Sequence, residues 1–171
     1  AEAGEVLAVV RATGEPALGV GPAADGVFRR GVVAVDGAPA SLRAAALAAR
    51  LLAPGGTLSL VYVRREPDPG AAELPDGRNV AEALQRLVVA LRGPAGRGDA
   101  GRRDVTIGVA TLIGDLPAEI VAYAERVGAD LVAAGTHAAA VPGAASVAAA
   151  IARLAAEGGE GMSVLVCPER G

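Results

Sequence analysis

A chain of 171 residues, of which 52% are hydrophobic, is long enough and apolar enough to bury a sizeable core, which argues against a disordered protein. The net charge of −3 argues against a general nucleic-acid binder, and one cysteine excludes an internal disulfide bond. The single cysteine and the lack of a signal-peptide pattern lead us to expect a cytoplasmic protein.

The first 29 residues are predicted to be an extension that precedes the main domain. Residues 5–11 form a strand-like run, and residues 12–28 hold two prolines and several glycines, a composition typical of a linker. The run resembles residues 163–170, near the other end of the chain. We hypothesise that it either replaces the last strand of a partner domain preceding residue 1 or pairs with the edge of the last strand. The alternative is a tail without fixed structure.

From residue 30 onward, strand-like and helix-like patterns alternate, and we predict one domain over 30–171. Strand-like segments cover 31–36, 57–63, 105–110, 131–134 and 163–167. The first is a continuous apolar run, typical of a central parallel strand buried on both faces, and the last two are also expected to be buried. Helical patterns lie between them over 41–52, 80–91, 116–127 and 146–157. This alternation predicts right-handed βαβ units, and therefore an α/β fold with an open five-stranded parallel sheet and helices on both faces.

Several local features can be predicted within these elements. The first helix should turn one apolar face toward the sheet, made of Leu42, Ala45, Ala46, Ala49 and Leu52. Asn79 and Asp115 each precede a helix and are predicted to be its N-cap. Cys167 lies in an apolar strand and is predicted to be a small buried hydrophobe.

One charge-free segment has the length of a membrane span. Residues 131–152 contain no aspartate, glutamate, lysine or arginine. They are mostly alanine, interrupted by two glycines and a proline, and lack the leucine, isoleucine and phenylalanine density that drives insertion. We therefore do not expect a span here.

Several segments together resemble the universal stress protein family. The resemblance is carried by Val33-Ala34-Val35-Asp36-Gly37, by Gly114-Asp115-x-Pro117-Ala118-Glu119, by Gly128-Ala129-Asp130-Leu131-Val132-x-x-Gly135-Thr136-His137, by Ser146-Val147-Ala148, and by Val164-Leu165-Val166-Cys167-Pro168. Their order and spacing fit over about residues 30–169. The resemblance implies an adenine-nucleotide α-hydrolase-like sheet of order 3-2-1-4-5, and a homodimer that pairs its last strands edge to edge.

The turn after the fourth strand is the predicted functional region, because open parallel sheets bind ligands at the carboxyl ends of their strands. ATP-binding members of the resembled family use Gly-x2-Gly-x9-Gly-(Ser/Thr) for the phosphates. Gly135 matches the first glycine, but Ala138 and Ala145 stand where the next two belong, and the span is three residues short. Gly143 offers partial compensation, although it follows Pro142. Since alanine keeps the main chain away from phosphate, we predict a degenerate nucleotide site.

The resemblance implies further nucleotide contacts, and the residues involved also have structural interpretations. Asp36 either contacts the adenosine or caps the turn into the first helix. Val63 either faces the adenine or belongs to the sheet core. Ser146, with Val147 beside it, either contacts a phosphate or is the N-cap of the last helix. His137 has no second histidine or cysteine near it in sequence and is predicted to be a turn residue.

We therefore predict a dimeric regulatory or binding module of the stress response, with no catalytic residues, metal site, membrane span or nucleic-acid partner. No cofactor is expected, and binding of ATP or AMP with slow or no hydrolysis is the alternative. A nucleotidyl transferase is disfavoured because the chain has one histidine and no lysine to neutralise a transferring phosphate, although arginine could substitute.

Overall fold

In a computed structural model of the chain, an open β-sheet lies between two layers of helix. The structure describes residues 17–19, 28–35, 39–64, 79–93, 104–136, 150, 151, 153, 154, 157 and 162–168. The elements are β1 (Ala17–Gly19), β2 (Phe28–Ala34), α1 (Pro39–Leu51), β3 (Leu52–Arg64), α2 (Val80–Arg92), β4 (Thr106–Ile113), α3 (Leu116–Val127), β5 (Leu131–Thr136) and β6 (Ser163–Pro168). Residues 150, 151, 153, 154 and 157 are also helical.

The sheet has the order β1-β6-β5-β2-β3-β4. The five strands from β2 to β6 are all parallel, and renumbered among themselves they follow the order 3-2-1-4-5. Both the parallel five-stranded sheet and its order therefore confirm the sequence-based prediction. The addition is β1, which pairs antiparallel with the outer edge of β6.

The core has one layer on each face of the sheet, because alternate strand residues point to opposite faces. On the first face, α1 and α2 cover a cluster that includes Leu58, Leu60, Leu131 and Leu165. On the second face, α3 and the helical residues Ile151 and Leu154 cover the remaining strand residues, among them Val32, Val61, Val132, Val164 and Val166. The inner strands are covered on both faces and must be apolar along their length, which explains their apolar runs. β4 lies at the edge of the sheet, and each of its residues is exposed or half-buried.

The face that α1 turns to the sheet differs from the prediction. Ala44, Ala45, Ala48 and Ala49 are fully buried, whereas Leu42 is 40% exposed. The helix is thus rotated so that its smallest side chains meet the sheet, and its axis can approach the strands closely. The prediction that Leu42 faces inward was wrong, because apolar spacing alone does not distinguish a leucine stripe from an adjacent alanine stripe.

Both predicted N-cap positions are correct, but only one side chain caps its helix. Asn79 accepts hydrogen bonds from the amides of Ala81 and Glu82, at 2.9 and 3.3 Å. Asp115 has extended backbone angles at the N-cap of α3, yet its carboxylate makes no capping hydrogen bond. The cap that we expected from the Asp115 side chain is therefore absent.

The N-terminal extension contains a strand where the sequence predicted a linker. Ala17–Gly19 falls inside the linker predicted over residues 12–28, and β2 begins at Phe28, whose side chain is buried in the core. The short β1 carries little periodic signal, because it spans only three residues and ends in glycine. The strand-like run at residues 5–11, proposed to pair with the last strand, lies outside the described residues.

Candidate functional site

A crevice is expected where the sheet's connections change direction, between β2 and β5. These two strands are parallel neighbours, with Gly31, Val32 and Val33 opposite Leu131, Val132 and Ala133. The chain leaves β2 for α1 on the first face and leaves β5 for the helical residues on the second face. Because the two connections depart in opposite directions, the carboxyl ends of β2 and β5 are left uncovered between them, which is where open parallel sheets bind ligands.

Gly135 lies at this point and is required by a close main-chain approach. A Cβ atom built on Gly135 would lie 2.6 Å from the carbonyl carbon of Ala40 and 2.8 Å from the amide nitrogen of Ser41. The first turn of α1 therefore rests directly on the end of β5. This packing gives Gly135 a structural role that was not predicted from the sequence, in addition to the phosphate contact that the family pattern implied.

The first turn of α1 brings the positive end of the helix dipole to the crevice. The amide groups at a helix N-terminus carry a partial positive charge that favours a nearby anion. The first turn of α1 contains no acidic residue that would neutralise it. Ala40 and Ser41, which form the wall next to Gly135, are both buried, at 2% exposure each.

A second positive charge lies near the same strand ends. Cys167 pairs with Gly135 across β5 and β6. Burial raises the pKa of the Cys167 thiol to about 11, while the positive charge of Arg43 acts in the opposite direction. Arg43 is therefore close enough to influence the end of β6. Arg43 was not among the residues predicted from the sequence, where the only signal was its place one turn into the helix that follows the first strand of the domain.

The predicted site residue Val63 lies in the core. It is 7% exposed and belongs to the cluster on the second face, together with Ile120, Val121 and Ala124 of α3. It is the penultimate residue of β3, one residue before the carboxyl end of the strand at Arg64. The structural interpretation of Val63 as sheet core is the one that this geometry favours.

The other predicted site residues fall outside the described part of the chain. These are Asp36, Gly143, Ser146 and Val147, and the same holds for His137. Asp36 directly follows Val35, whose amide donates a 2.9 Å hydrogen bond to the carbonyl of Val61 and so extends the pairing of β2 with β3. Of the predicted nucleotide contacts, the structure thus describes Gly135 and Val63, on different strands and on opposite faces of the sheet.

Among the residues that the structure describes, no three histidine, cysteine, aspartate or glutamate side chains form a group that could hold a metal ion. No helix in this part of the chain is both long enough and apolar enough to cross a membrane.

Comparisons with known proteins point in one direction. A family model described as the universal stress protein family matches residues 28–157. Among solved structures, a universal stress protein in complex with cAMP is 23% identical, with a TM-score of 0.57, covering 82% of this chain and 97% of that one. A universal stress protein from Archaeoglobus fulgidus is 20% identical, with a TM-score of 0.55 and coverages of 84% and 95%. No curated protein sequence matches the chain.

Proposed function

The chain belongs to the universal stress protein family, and we propose that it is a regulatory module that binds an adenine nucleotide with few phosphates, such as AMP or cAMP, in preference to ATP. The nucleotide would lie in the crevice between the carboxyl ends of β2 and β5. Binding without turnover would regulate a response to stress.

The observation that carries this proposal is the contact of Gly135 with the first turn of α1. The close approach, at 2.6 Å from a built Cβ to the carbonyl carbon of Ala40, brings the helix N-terminus to the strand end. Main-chain amides at that position favour an anion. The positive charge of Arg43 opposes the rise in the pKa of Cys167, so it acts at the neighbouring strand end. Both features suit a single phosphate group bound close to the sheet.

The preference against a triphosphate rests on the sequence after β5. Two of the three phosphate-loop glycines are replaced by Ala138 and Ala145, and the loop is three residues short of the ATP-binding pattern. Each missing glycine removes a place where main-chain amides can approach a phosphate without a Cβ in the way. The distal phosphates of ATP would lose the most main-chain contacts, because they depend on the part of the loop farthest from Gly135. The related structure that contains cAMP supports the same choice of ligand.

ATP itself is the second candidate. Gly135, the first glycine of the ATP-binding pattern, is retained at the end of β5. If the loop after it can still fold around a triphosphate, ATP would bind more tightly than AMP, because two additional phosphates would contact the main chain.

The test is a thermal-unfolding titration with AMP, cAMP, ATP and GTP, combined with mass spectrometry of any nucleotide released on denaturation. A ligand at about 100 times its dissociation constant stabilises the fold by about 2.7 kcal/mol. We expect stabilisation by AMP or cAMP at lower concentration than by ATP, and little by GTP. An ATP effect at lower concentration would favour the second candidate, and no effect of any nucleotide would refute both.

A matched pair of variants separates binding from stability. Asp36→Asn removes the charge of the predicted adenosine contact and should weaken nucleotide binding. Asp104→Asn is the control, because Asp104 is exposed, precedes β4 at the opposite end of the sheet, and has a left-handed φ of 53° that asparagine also adopts. Equal nucleotide binding by the two variants would remove Asp36 from the site.

A further inference from the structure

The outer edge of β6 is covered by a segment of the same chain. β1 pairs antiparallel with β6, with Ala17, Leu18 and Gly19 opposite Val166, Leu165 and Val164. The other edge of β6 pairs with β5 over the whole strand, from Ser163 to Pro168. Without β1, β6 would therefore end the sheet and present a row of main-chain donors and acceptors that can pair with another strand.

The edge beneath β1 has none of the features that usually prevent pairing. β6 contains no charged residue, and its first five residues are buried on both faces. Its one proline, Pro168, is the last residue of the strand, so it does not interrupt the central part of the edge. Protection of this edge thus depends on β1, which is only three residues long.

β1 takes the place that a second β6 would occupy. A two-fold axis perpendicular to the sheet relates two strands in antiparallel orientation, which is the orientation of β1 on β6. An axis at Leu165, the residue opposite the centre of β1, would pair Leu165 with itself and Val164 with Val166. It would also pair Ser163 with Cys167, so five residues of each strand would be paired. Paired residues would have their side chains on the same face of the joined sheet.

The chain between β1 and β2 is long enough for β1 to dock within one molecule. Gly19 pairs near the start of β6, at the same end of the sheet as the start of β2. β1 and β2 are separated by three strand spacings, which is about 14 Å. Residues 20–27 connect them, and an extended connection of that length could reach about 30 Å. The connection is therefore long enough for β1 to pair with β6 in the same molecule without being stretched, and also for β1 to leave that edge.

We propose that β1 is an intramolecular cap that competes with a second copy of β6 for the same edge, so that the protein exchanges between a capped monomer and a dimer joined through β6. The geometry favours this occupant because the cap has the direction and the centre of the two-fold pairing. The proposal does not depend on the nucleotide site, which lies at the carboxyl ends of other strands.

The test compares full-length variants that release or lock the cap. In an antiparallel strand, successive main-chain amides point alternately toward and away from the partner strand. The amides that face β6 therefore belong either to Leu18 or to both Ala17 and Gly19. Proline has no amide hydrogen, so either Leu18→Pro or the double variant Ala17→Pro with Gly19→Pro removes them. Leu18→Ala, which keeps every amide, is the control. Sedimentation velocity over a wide concentration range should give a dimer dissociation constant at least about tenfold lower for the releasing variant than for the control.

The locked form carries Ala17→Cys and Val166→Cys in a Cys167→Ala background. The two positions are directly opposite in the register, and opposed strand residues are within the Cα separation that a disulfide spans. The oxidised protein should stay monomeric at every concentration, and reduction should restore dimerisation. Equal association by the oxidised and reduced forms would overturn the proposal. This test does not use the proline variants, so it decides the question even if a proline variant fails to fold.

Discussion

The carboxylate of Asp130 accepts a 3.0 Å hydrogen bond from the main-chain amide of Arg30, 100 residues earlier in the chain. It also accepts hydrogen bonds from the amide of Arg29, at 3.0 and 3.2 Å. In return, the amide of Asp130 donates to the carbonyl of Arg30, and the carbonyl of Asp130 accepts from the amide of Ser163. One residue before β5 thus ties together the starts of β2, β5 and β6, at the end of the sheet opposite the candidate site.

Replacement of Asp130 should destabilise the fold without weakening a ligand at the carboxyl ends. Hydrogen bonds to a charged group contribute about 1.5–3 kcal/mol each, and those at Asp130 are partly solvated, so we expect Asp130→Ala to cost about 2 kcal/mol. For a domain of this size that corresponds to a loss of about 5 °C in the melting temperature. Asp130→Asn keeps one acceptor oxygen and should cost less. Equal losses for the two variants would show that these acceptors contribute little.

The two helix N-caps should respond differently to alanine. Asn79 caps α2 through its side chain, so Asn79→Ala should lower the free energy of unfolding by about 1 kcal/mol. Asp115 holds the same position in α3 but makes no capping hydrogen bond, so Asp115→Ala should cost less than about 0.5 kcal/mol. Chemical denaturation of both variants beside the parent protein measures the difference. A larger loss at Asp115 would mean that its carboxylate stabilises the helix in solution.

Two glycines in strands should tolerate a methyl group very differently. Gly135→Ala places a Cβ within 2.6–2.8 Å of Ala40 and Ser41, where main-chain atoms cannot move away without shifting α1, so we expect a loss of about 1–3 kcal/mol. Gly108→Ala is the matched control, because nothing lies within 4 Å of a Cβ at that position. Since alanine also restricts the unfolded chain, Gly108→Ala should be neutral or slightly stabilising. The contrast would fail if both variants unfolded at the same denaturant concentration.

Cys167 should be unreactive near neutral pH and should make the fold sensitive to alkali. With its pKa raised from 9.0 to about 11 by burial, its thiolate fraction at pH 8 is about 100 times smaller than that of an unperturbed thiol. Alkylation by iodoacetamide should be slower by at least that factor, and denaturant should restore the ordinary rate. Rapid labelling of the folded protein would contradict the burial of the thiol.

The raised pKa of Cys167 also predicts how the stability of the fold changes with pH. The folded state holds the Cys167 proton more tightly than the unfolded state, so this contribution to stability is fully present below pH 9 and is lost as the pH rises from 9 toward 11. The slope from this one group is at most about 1.4 kcal/mol per pH unit. Cys167→Ala should flatten the decline, and the absence of lysine limits the other groups that titrate there. An unchanged pH profile in this variant would assign the decline elsewhere.

The sequence was most informative where the structure depends on local periodicity. The five parallel strands, the N-cap at Asn79 and the buried Cys167 could all be predicted, because apolar strand segments and helix capping leave patterns within a few residues. The inward face of α1 could not be predicted, because Leu42 and Ala45 have equivalent helical spacing and only the closeness of the sheet selects the alanines.

Sequence alone therefore established the alternation of strands and helices, and through its resemblance to a known family also the order of the strands. The region of the site stays a prediction. Only the tertiary structure decided that β1 covers the edge of β6, that Gly135 is required by Ala40, and that Asp130 joins three strand ends. Each of these relationships includes residues that are about 90 or more positions apart, such as Gly135 and Ala40 or Asp130 and Arg30. Contacts of this kind arise from chain reversal and close packing, so they leave no pattern in either segment taken by itself.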